Sequence, residues 1–222
     1  MNAVLCCSAR FAAIALLSVF LPASAAAQAS PAGASSPPAQ VDEHRALDTV
    51  EFLAGAALGL GMHEGGHLVF DGLFDAQPRI EAVHFGPIPF FAVTHRSDLS
   101  PRREFTISSA GFWVQEGSNE WLLSRRPALR RQHAPLAKGL FAFNVLTSIG
   151  YGVVALAKAG PFERDTRGMA ASIGVDERAI AAVVLAPALL DAYRYFRPDA
   201  RWARWGSRSA KVGSVLLVLK RR

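Results

Sequence analysis

The chain has 222 residues, which is enough for one domain with a sizeable core. Hydrophobic residues make up 51% and charged residues 19%, with a mean hydropathy of +0.21, so the composition favours a membrane protein over a soluble one. The net charge of +6 comes mostly from arginines in the second half. Because no aromatic and basic RNA-binding motif accompanies them, we expect anionic lipid headgroups as partners and no nucleic acid.

The first 45 residues are predicted to precede the folded core. In residues 1–29, Arg10 comes before the apolar stretch 11–21 and small residues follow, which is typical of a secretory signal peptide. An uncleaved N-terminal anchor is the alternative, although the apolar stretch is shorter than the ~20 residues that a membrane span prefers. Both cysteines lie in this segment. Residues 30–45 are rich in Pro, Ala, Ser and Gly, which predicts a flexible linker.

The sequence His63-Glu64-Gly65-Gly66-His67 lies within the apolar run 52–70. On a helix, His63 and His67 fall one turn apart on one face, so both imidazoles can bind one Zn²⁺ while Glu64 reaches a bound water. The metal is expected to lower the pKa of that water, and Glu64 is expected to accept its proton for attack on a peptide carbonyl. The alternative is a pair of hydrogen-bonded core histidines without metal. The motif indicates metalloprotease chemistry.

A helix over residues 46–74 is predicted to carry this motif, and its glycines have the spacing that allows close helix packing in a bilayer: Gly55, Gly59, Gly61 and Gly65. Alternating patterns around a Gly-Pro turn predict strands at 80–85 and 90–93, with a third strand at 104–108. A second helix is predicted over 110–123. Its many polar residues make it a poor free-standing membrane span.

Residues 139–157 lack charged side chains, and 179–196 contain only two, so both segments are predicted to span a membrane. Buried core helices of a soluble protein are the alternative. Arginines then recur at spacings of three and four, predicting one basic stripe with Trp202 and Trp205 as interfacial anchors: Arg194, Arg197, Arg201, Arg204 and Arg208. We interpret 197–222 as a basic interfacial tail on anionic headgroups. A merely solvated arginine face is the alternative.

The predicted fold is therefore mainly α: a polytopic membrane helical bundle over residues 46–196 with a small β element after the HExxH helix. This order of elements resembles the site-2 protease family of intramembrane metalloproteases over roughly residues 46–175. In that family a second core helix carries Gly-Pro-x-x-Asn, and an aspartate near the third core helix completes the zinc site. Asp165, within residues 162–168, is similar to that aspartate. The resemblance implies His63, His67 and Asp165 as ligands and Glu64 as general base.

The sequence departs from the family pattern at two places. Phe112 replaces the proline and Gln115 the asparagine, while Asp165 lacks the glycine that should follow it. Gln115 is expected to contact an oxyanion or substrate as an amide can, with a role in packing as the alternative. Asp165 could instead pair with Arg164 or Arg167.

Other carboxylates remain competitors for the third ligand position: Asp71, Asp75 and Asp176, and, for a thermolysin-like site, Glu116 and Glu120. The remaining histidines are expected to have no role, with His84 a weak candidate for a contact behind the ligands: His44, His84, His95 and His133.

If the resemblance holds, the protein is a zinc endopeptidase in a bacterial-type inner membrane that cleaves membrane-associated proteins or peptides. An unwound substrate segment would then pair with the strand at 80–85. A non-proteolytic binding or scaffold protein and a soluble periplasmic zincin are the alternatives. The orientation stays open, because bringing Asp165 to His63 and His67 places the arginines between 125 and 131 outside, against the positive-inside tendency.

Overall fold

A computed structural model of the protein describes residues 38–85 and 87–220. Within these residues, the predicted mainly α architecture with a small β element directly after the HExxH helix is confirmed. The elements in chain order are helix α1 (Pro38–Phe74), strands β1 (Arg79–Phe85) and β2 (Ile88–Thr94), helix α2 (Pro101–Arg125), a 3-10 turn (Leu129–Arg131), and helices α3 (Pro135–Ala157), α4 (Asp165–Ile173), α5 (Glu177–Phe196) and α6 (Arg201–Lys220).

Two predictions differ from the structure, one about where a helix begins and one about a strand. Helix α1 begins at Pro38, so residues 38–45 of the predicted linker are helical. The third strand at 104–108 is wrong, because α2 already begins at Pro101. Proline is well tolerated in the first turn of a helix, and Glu104 in the same turn interacts favourably with the helix dipole. The predicted signal peptide or anchor at 1–29 lies outside the described residues.

The two strands form an antiparallel hairpin in which Arg79 faces Thr94 and Ala82 faces Phe91. Backbone hydrogen bonds fix the base of the hairpin to the end of α1. The Arg96 amide donates to the Ala76 carbonyl at 3.0 Å, and the Ala76 amide donates to the Asp71 carbonyl at 2.8 Å. The hairpin is therefore held beside the helix that carries the HExxH motif.

Helices α3 and α5 pack antiparallel, with Phe141 stacked on Tyr195 near one end and Gly152 against Leu185 near the other. Among the described helices, these two are long and apolar enough to cross a membrane. They contain the two predicted spans at 139–157 and 179–196. This criterion uses length and composition alone, and α1 and α2 do not meet it, so membrane association and a multi-pass topology are proposals.

Glycines bring α1 into close contact with α3. A Cβ atom on Gly55 would overlap the Leu136 carbonyl, and one on Gly139 would overlap the Phe52 carbonyl, so the two backbones touch where they cross. Gly59 packs against Phe143 in the same interface. The predicted role in close packing is correct for Gly55 and Gly59, whereas a Cβ on Gly61 or Gly65 would meet nothing within 4 Å.

The C-terminal segment is a full member of the bundle. The chain turns between α5 and α6, so the predicted continuous arginine stripe is interrupted. Helix α6 then runs back along α5, where Ser207 donates to Asp191 at 2.6 Å and Lys211 lies 2.8 Å from the same carboxylate. Helix α6 is therefore part of the bundle and not a separate tail, because its polar side faces α5. Contact of residues 197–222 with anionic headgroups stays a prediction.

Candidate metal centre

The two histidines of the HExxH motif are buried in α1, with 2% and 5% of His63 and His67 exposed. Their Nε2 atoms lie 3.2 Å apart, and the ring centroids are separated by 4.9 Å. The prediction that one helical turn brings both imidazoles to the same face is therefore correct. Glu64, between them in sequence, is half-buried and within electrostatic range of both rings.

Asp165, 102 residues from His63, joins the two imidazoles from the first turn of α4. Its Oδ2 atom lies 3.2 Å from His63 Nε2 and 3.5 Å from His67 Nε2. Donor atoms around a tetrahedral zinc with bonds of 2.0–2.1 Å lie about 3.3 Å apart. This group could therefore hold a metal ion. Burial alone would raise the pKa of the Asp165 carboxyl, but His67 and His63 outweigh it and hold that pKa below its ordinary value.

An ion pair fixes the start of α4. The Arg164 guanidinium donates to both oxygens of Glu177, at 2.7 and 2.6 Å, and the Thr166 hydroxyl donates to the same carboxylate at 2.8 Å. Arg167 instead lies over the Phe162 ring, 3.5 Å from its centroid. The alternative in which Asp165 pairs with one of these arginines is therefore excluded, and the Arg164–Glu177 pair orients Asp165 toward α1.

Groups behind the ligands set the orientation of both histidines. His67 Nδ1 lies 2.7 Å from the Ile107 carbonyl oxygen, which assigns the proton to Nδ1 and leaves the Nε2 atom as the nitrogen that could bind a metal ion. A Cβ on Gly111 would come within 2.5 Å of the His63 ring, so only glycine lets this ring pack against α2. Gly111 therefore lies directly beside His63, one of the three residues that could hold a metal ion.

Tyr151 of α3 is a neighbour of the centre that the sequence analysis missed. Its ring lies 5.9 Å from the His63 ring and 5.2 Å from Phe112, and its side chain interacts with Asp165. A signal was present in the sequence, because Asn144, Ser148 and Tyr151 fall on one face of an otherwise apolar helix.

Gln115 is 1% exposed and lies one turn along α2 from Gly111. Its Oε1 accepts a hydrogen bond of 3.2 Å from Ser148, while its Nε2 has no partner within the described part of the chain. The structure places Gln115 among the helices next to the centre but outside the group of metal donors. A role as oxyanion contact remains a prediction.

The competing carboxylates have other partners. Glu116 accepts from Ser214, Glu120 pairs with Arg194 and Arg208, and Asp176 caps α5 by accepting from the Arg178 amide. Asp75 is exposed at the end of α1 and lies outside the donor group. A thermolysin-like site using Glu116 or Glu120 is thus not supported by the structure.

Asp71 and His95 form a separate contact beside the hairpin. Asp71 is fully buried, with Oδ1 3.6 Å from His95 Nδ1, and His95 Nε2 lies 2.7 Å from Glu104. The hydrogen bond to Glu104 raises the pKa of His95, with burial opposing it and the charge of Asp71 adding to it. His95, which was expected to have no role, therefore connects the loop after β2 to α1 and α2.

Comparisons with protein-family models, with curated proteins and with solved structures found no match.

Proposed function

We propose that the protein is a zinc-dependent, membrane-embedded endopeptidase that cleaves membrane-associated protein substrates. The observation that carries this proposal is the convergence of His63 Nε2, His67 Nε2 and Asp165 Oδ2 within 3.5 Å of one another. Two imidazoles and one carboxylate form a common donor set of catalytic zinc, and three protein ligands leave a fourth position for water or substrate.

The residues around this set suit peptide hydrolysis. A zinc ion held there supplies a Lewis acid that acidifies water and polarises a carbonyl. Glu64 is positioned to accept the proton of the attacking water and to pass it to the leaving amine, as a general base and then acid. Gln115 has a buried NH₂ group without a described partner, which favours donation to the substrate carbonyl oxygen.

The distribution of apolar side chains supports a lipid environment. Over residues 53–73, the inward face of α1 carries small and polar residues, and its exposed face carries only apolar ones. The buried members are Gly55, Gly59, His63, Gly66, His67 and Asp71, and the large exposed ones are Leu53, Leu58, Leu68, Val69 and Leu73. Water would disfavour such an inverted helix, whereas hydrocarbon stabilises it. We therefore propose a multi-pass protein of a bacterial-type inner membrane.

The proposed membrane spans determine how far below the membrane surface the metal centre would lie. Tyr151 lies beside His63 and six residues before the end of α3 at Ala157, which corresponds to about 9 Å along the helix axis. A bilayer core of ~30 Å would place the zinc ligands below the membrane surface but nearer one side than the middle. A substrate helix would have to unwind to present its backbone at this depth.

The hairpin offers a place for such an unwound segment. Strand β1 pairs with β2 in a two-stranded sheet, and Ile80 is 77% exposed. Addition of an extended substrate to the outer edge of β1 would satisfy the substrate backbone while its side chains remain accessible. The backbone contacts between this hairpin and the end of α1 keep the edge close to the HExxH helix.

The proposal can be tested on detergent-purified protein reconstituted with bacterial membrane proteins. Zinc content is measured first, and new protein N-termini are then identified by mass spectrometry. We expect the wild-type protein to contain stoichiometric zinc and to generate new termini. Glu64→Gln should retain zinc and lower their yield by roughly 10³-fold or more, since it removes both the general base and its later role as acid. Glu51→Gln, an exposed position on the same helix, is the matched control.

Two results would contradict the proposal at different steps. Absence of zinc from folded protein would refute the metal centre itself. Stoichiometric zinc without any termini that depend on Glu64 would refute the peptidase and favour a binding or scaffold protein. Release of the protein from membranes by carbonate would instead favour the soluble zincin.

A further inference from the structure

Helix α6 resembles α1 in how its side chains are distributed, with polar residues buried and large apolar residues exposed. Its buried residues are small or polar, and five large apolar residues are exposed together with Arg201 and Ser209. The buried group is Ala203, Ser207, Lys211 and Ser214, and the large apolar group is Trp202, Trp205, Val212, Val215 and Leu216. Tryptophan prefers the boundary between hydrocarbon and headgroups. Trp202 and Trp205 are each 63% exposed and mark the first turns of α6 as the end at that boundary.

A small cavity opens at this end of α6. It has a volume of about 130 Å³, several times what one water molecule requires. Three guanidinium groups and one hydroxyl contribute to its lining, and no described carboxylate does; the lining residues are Leu123, Ser124, Pro127, Arg194, Pro198, Arg204 and Arg208. Carboxylates behind the lining pair with Arg194 and Arg208, so the excess positive charge of the cavity comes from Arg204. The volume is large enough for a phosphate group.

The three arginines differ in their partners. Arg194 donates to Glu120 and Asp191, and Arg208 donates to Glu120 at 2.8 Å and to Ser124 at 3.2 Å. Arg204 makes a single contact of 3.4 Å with the Pro198 carbonyl and has no carboxylate partner in the described part of the chain. Arg204 thus keeps most of its donors for a ligand, while Arg194 and Arg208 are held in place by the helices around them.

We infer that this cavity, at the turn between α5 and α6, binds a phosphate group, and that the phosphate belongs to an anionic lipid. Planar guanidinium groups match phosphate oxygens with paired hydrogen bonds. The two exposed tryptophans place the cavity at the depth of lipid headgroups. The same chemistry would accept free phosphate, so the experiment has to separate the two sources. The inference rests on the membrane association proposed above and is independent of the peptidase activity.

The test uses the full chain reconstituted in phosphatidylcholine bilayers and titrated with brominated phosphatidylglycerol, which quenches nearby tryptophans. Arg204→Gln should lower the relative binding constant for phosphatidylglycerol by roughly tenfold or more, as expected when a charge-assisted hydrogen bond is lost. Arg201→Gln removes the same charge from an exposed position that does not line the cavity. It should lower the constant by about fivefold at most, the size of a general surface attraction. Arg204→Lys should give an intermediate value.

Zinc content is measured on every variant, and we expect it to remain unchanged. The failure of lipid binding can then be distinguished from the failure of the metal centre. Equal losses in Arg204→Gln and Arg201→Gln would overturn the inference in favour of a diffuse basic surface, as would a wild-type protein without preference for phosphatidylglycerol. If inorganic phosphate at matched ionic strength abolished the preference, the lipid assignment would be overturned and soluble phosphate would be the ligand.

Discussion

Two buried polar clusters lie in this bundle, and they differ in how their charges are satisfied. In the first, His63, His67 and Asp165 direct three donor atoms toward one point. In the second, between α2, α5 and α6, acidic and basic side chains pair with one another; its members are Glu120, Asp191, Arg194, Arg208 and Lys211. The first cluster could hold a cation, whereas the second already pairs its two carboxylates with three cationic side chains of its own.

The comparison separates a binding site from a structural network. Buried ion pairs are weak evidence for function, because a charge removed from water needs a partner wherever it lies. Three donor atoms that converge at the spacing of a metal coordination shell need a different explanation, even though Asp165 also interacts with both imidazoles. Both clusters contain buried ionisable side chains, but only in the first does the geometry of the donor atoms indicate a metal site.

The largest expected difference between the clusters concerns zinc. Asp165→Asn removes an anionic ligand and should weaken zinc binding by more than roughly 100-fold, since loss of groups behind the ligands alone costs 10–100-fold. Asp191→Asn makes the same chemical change in the other cluster and should leave zinc content unchanged in the folded fraction. Zinc per folded protein, measured by elemental analysis, checks both. Equal zinc loss in the two variants would contradict the assignment of zinc binding to the first cluster alone.

The free energy of unfolding should depend strongly on the second cluster. Arg194→Met removes one of the two cations that Glu120 and Asp191 share, the other being Lys211, and breaking a buried ion network in this way costs about 3–5 kcal/mol. Arg197→Met, at an exposed neighbouring position, should change stability by no more than ~0.5 kcal/mol. Thermal unfolding in detergent provides the comparison. Similar melting temperatures for the two variants would mean that the network is not needed to hold α6 in the bundle.

Glycine beside His63 permits a sharper test of the metal geometry. Gly111→Ala introduces a methyl group that would meet the His63 ring at 2.5–2.7 Å, so the ring must shift. We expect roughly 10-fold to 100-fold weaker zinc binding, the effect of disturbing a group that orients a ligand. Gly117→Ala on the same helix has nothing within 4 Å and is the control. A chelator titration of both variants measures the difference, and unchanged affinity in Gly111→Ala would argue that His63 is not a ligand.

The smallest expected effect lies outside both clusters, at His95. The pKa of His95 is raised above its ordinary 6.5 in the folded state, so its bond to Glu104 contributes stability fully below that value and loses it as the pH rises through the folded pKa. His95→Gln should cost about 0.5–1.5 kcal/mol near pH 6 and less at higher pH. Besides Glu104, the charged groups facing His95 are Asp71 and His67. Unfolding curves at several pH values test this, and a cost that grows with pH would contradict it.

Local patterns predicted several parts of the structure correctly. The one-turn spacing of His63 and His67 depends only on helix geometry, and the apolar segments that became α3 and α5 depend only on composition. The strand predicted at 104–108 was wrong because Pro101 and Glu104 favour a helix start over a short alternating pattern. Tyr151 was missed because the face that it shares with Asn144 and Ser148 can be read from the sequence, whereas the residues which that face contacts cannot.

Three features follow from local sequence alone: two imidazoles share one helix face, a hairpin follows this helix, and two later helices are long and apolar. Each of them depends on near neighbours in the chain. Three others follow only from how the helices pack: Asp165 meets the histidines, Gly111 makes room for His63, and the arginines after α5 turn partly inward. Those outcomes depend on residues far apart in sequence, and periodicity within one segment contains no information about which face of another segment will pack against it.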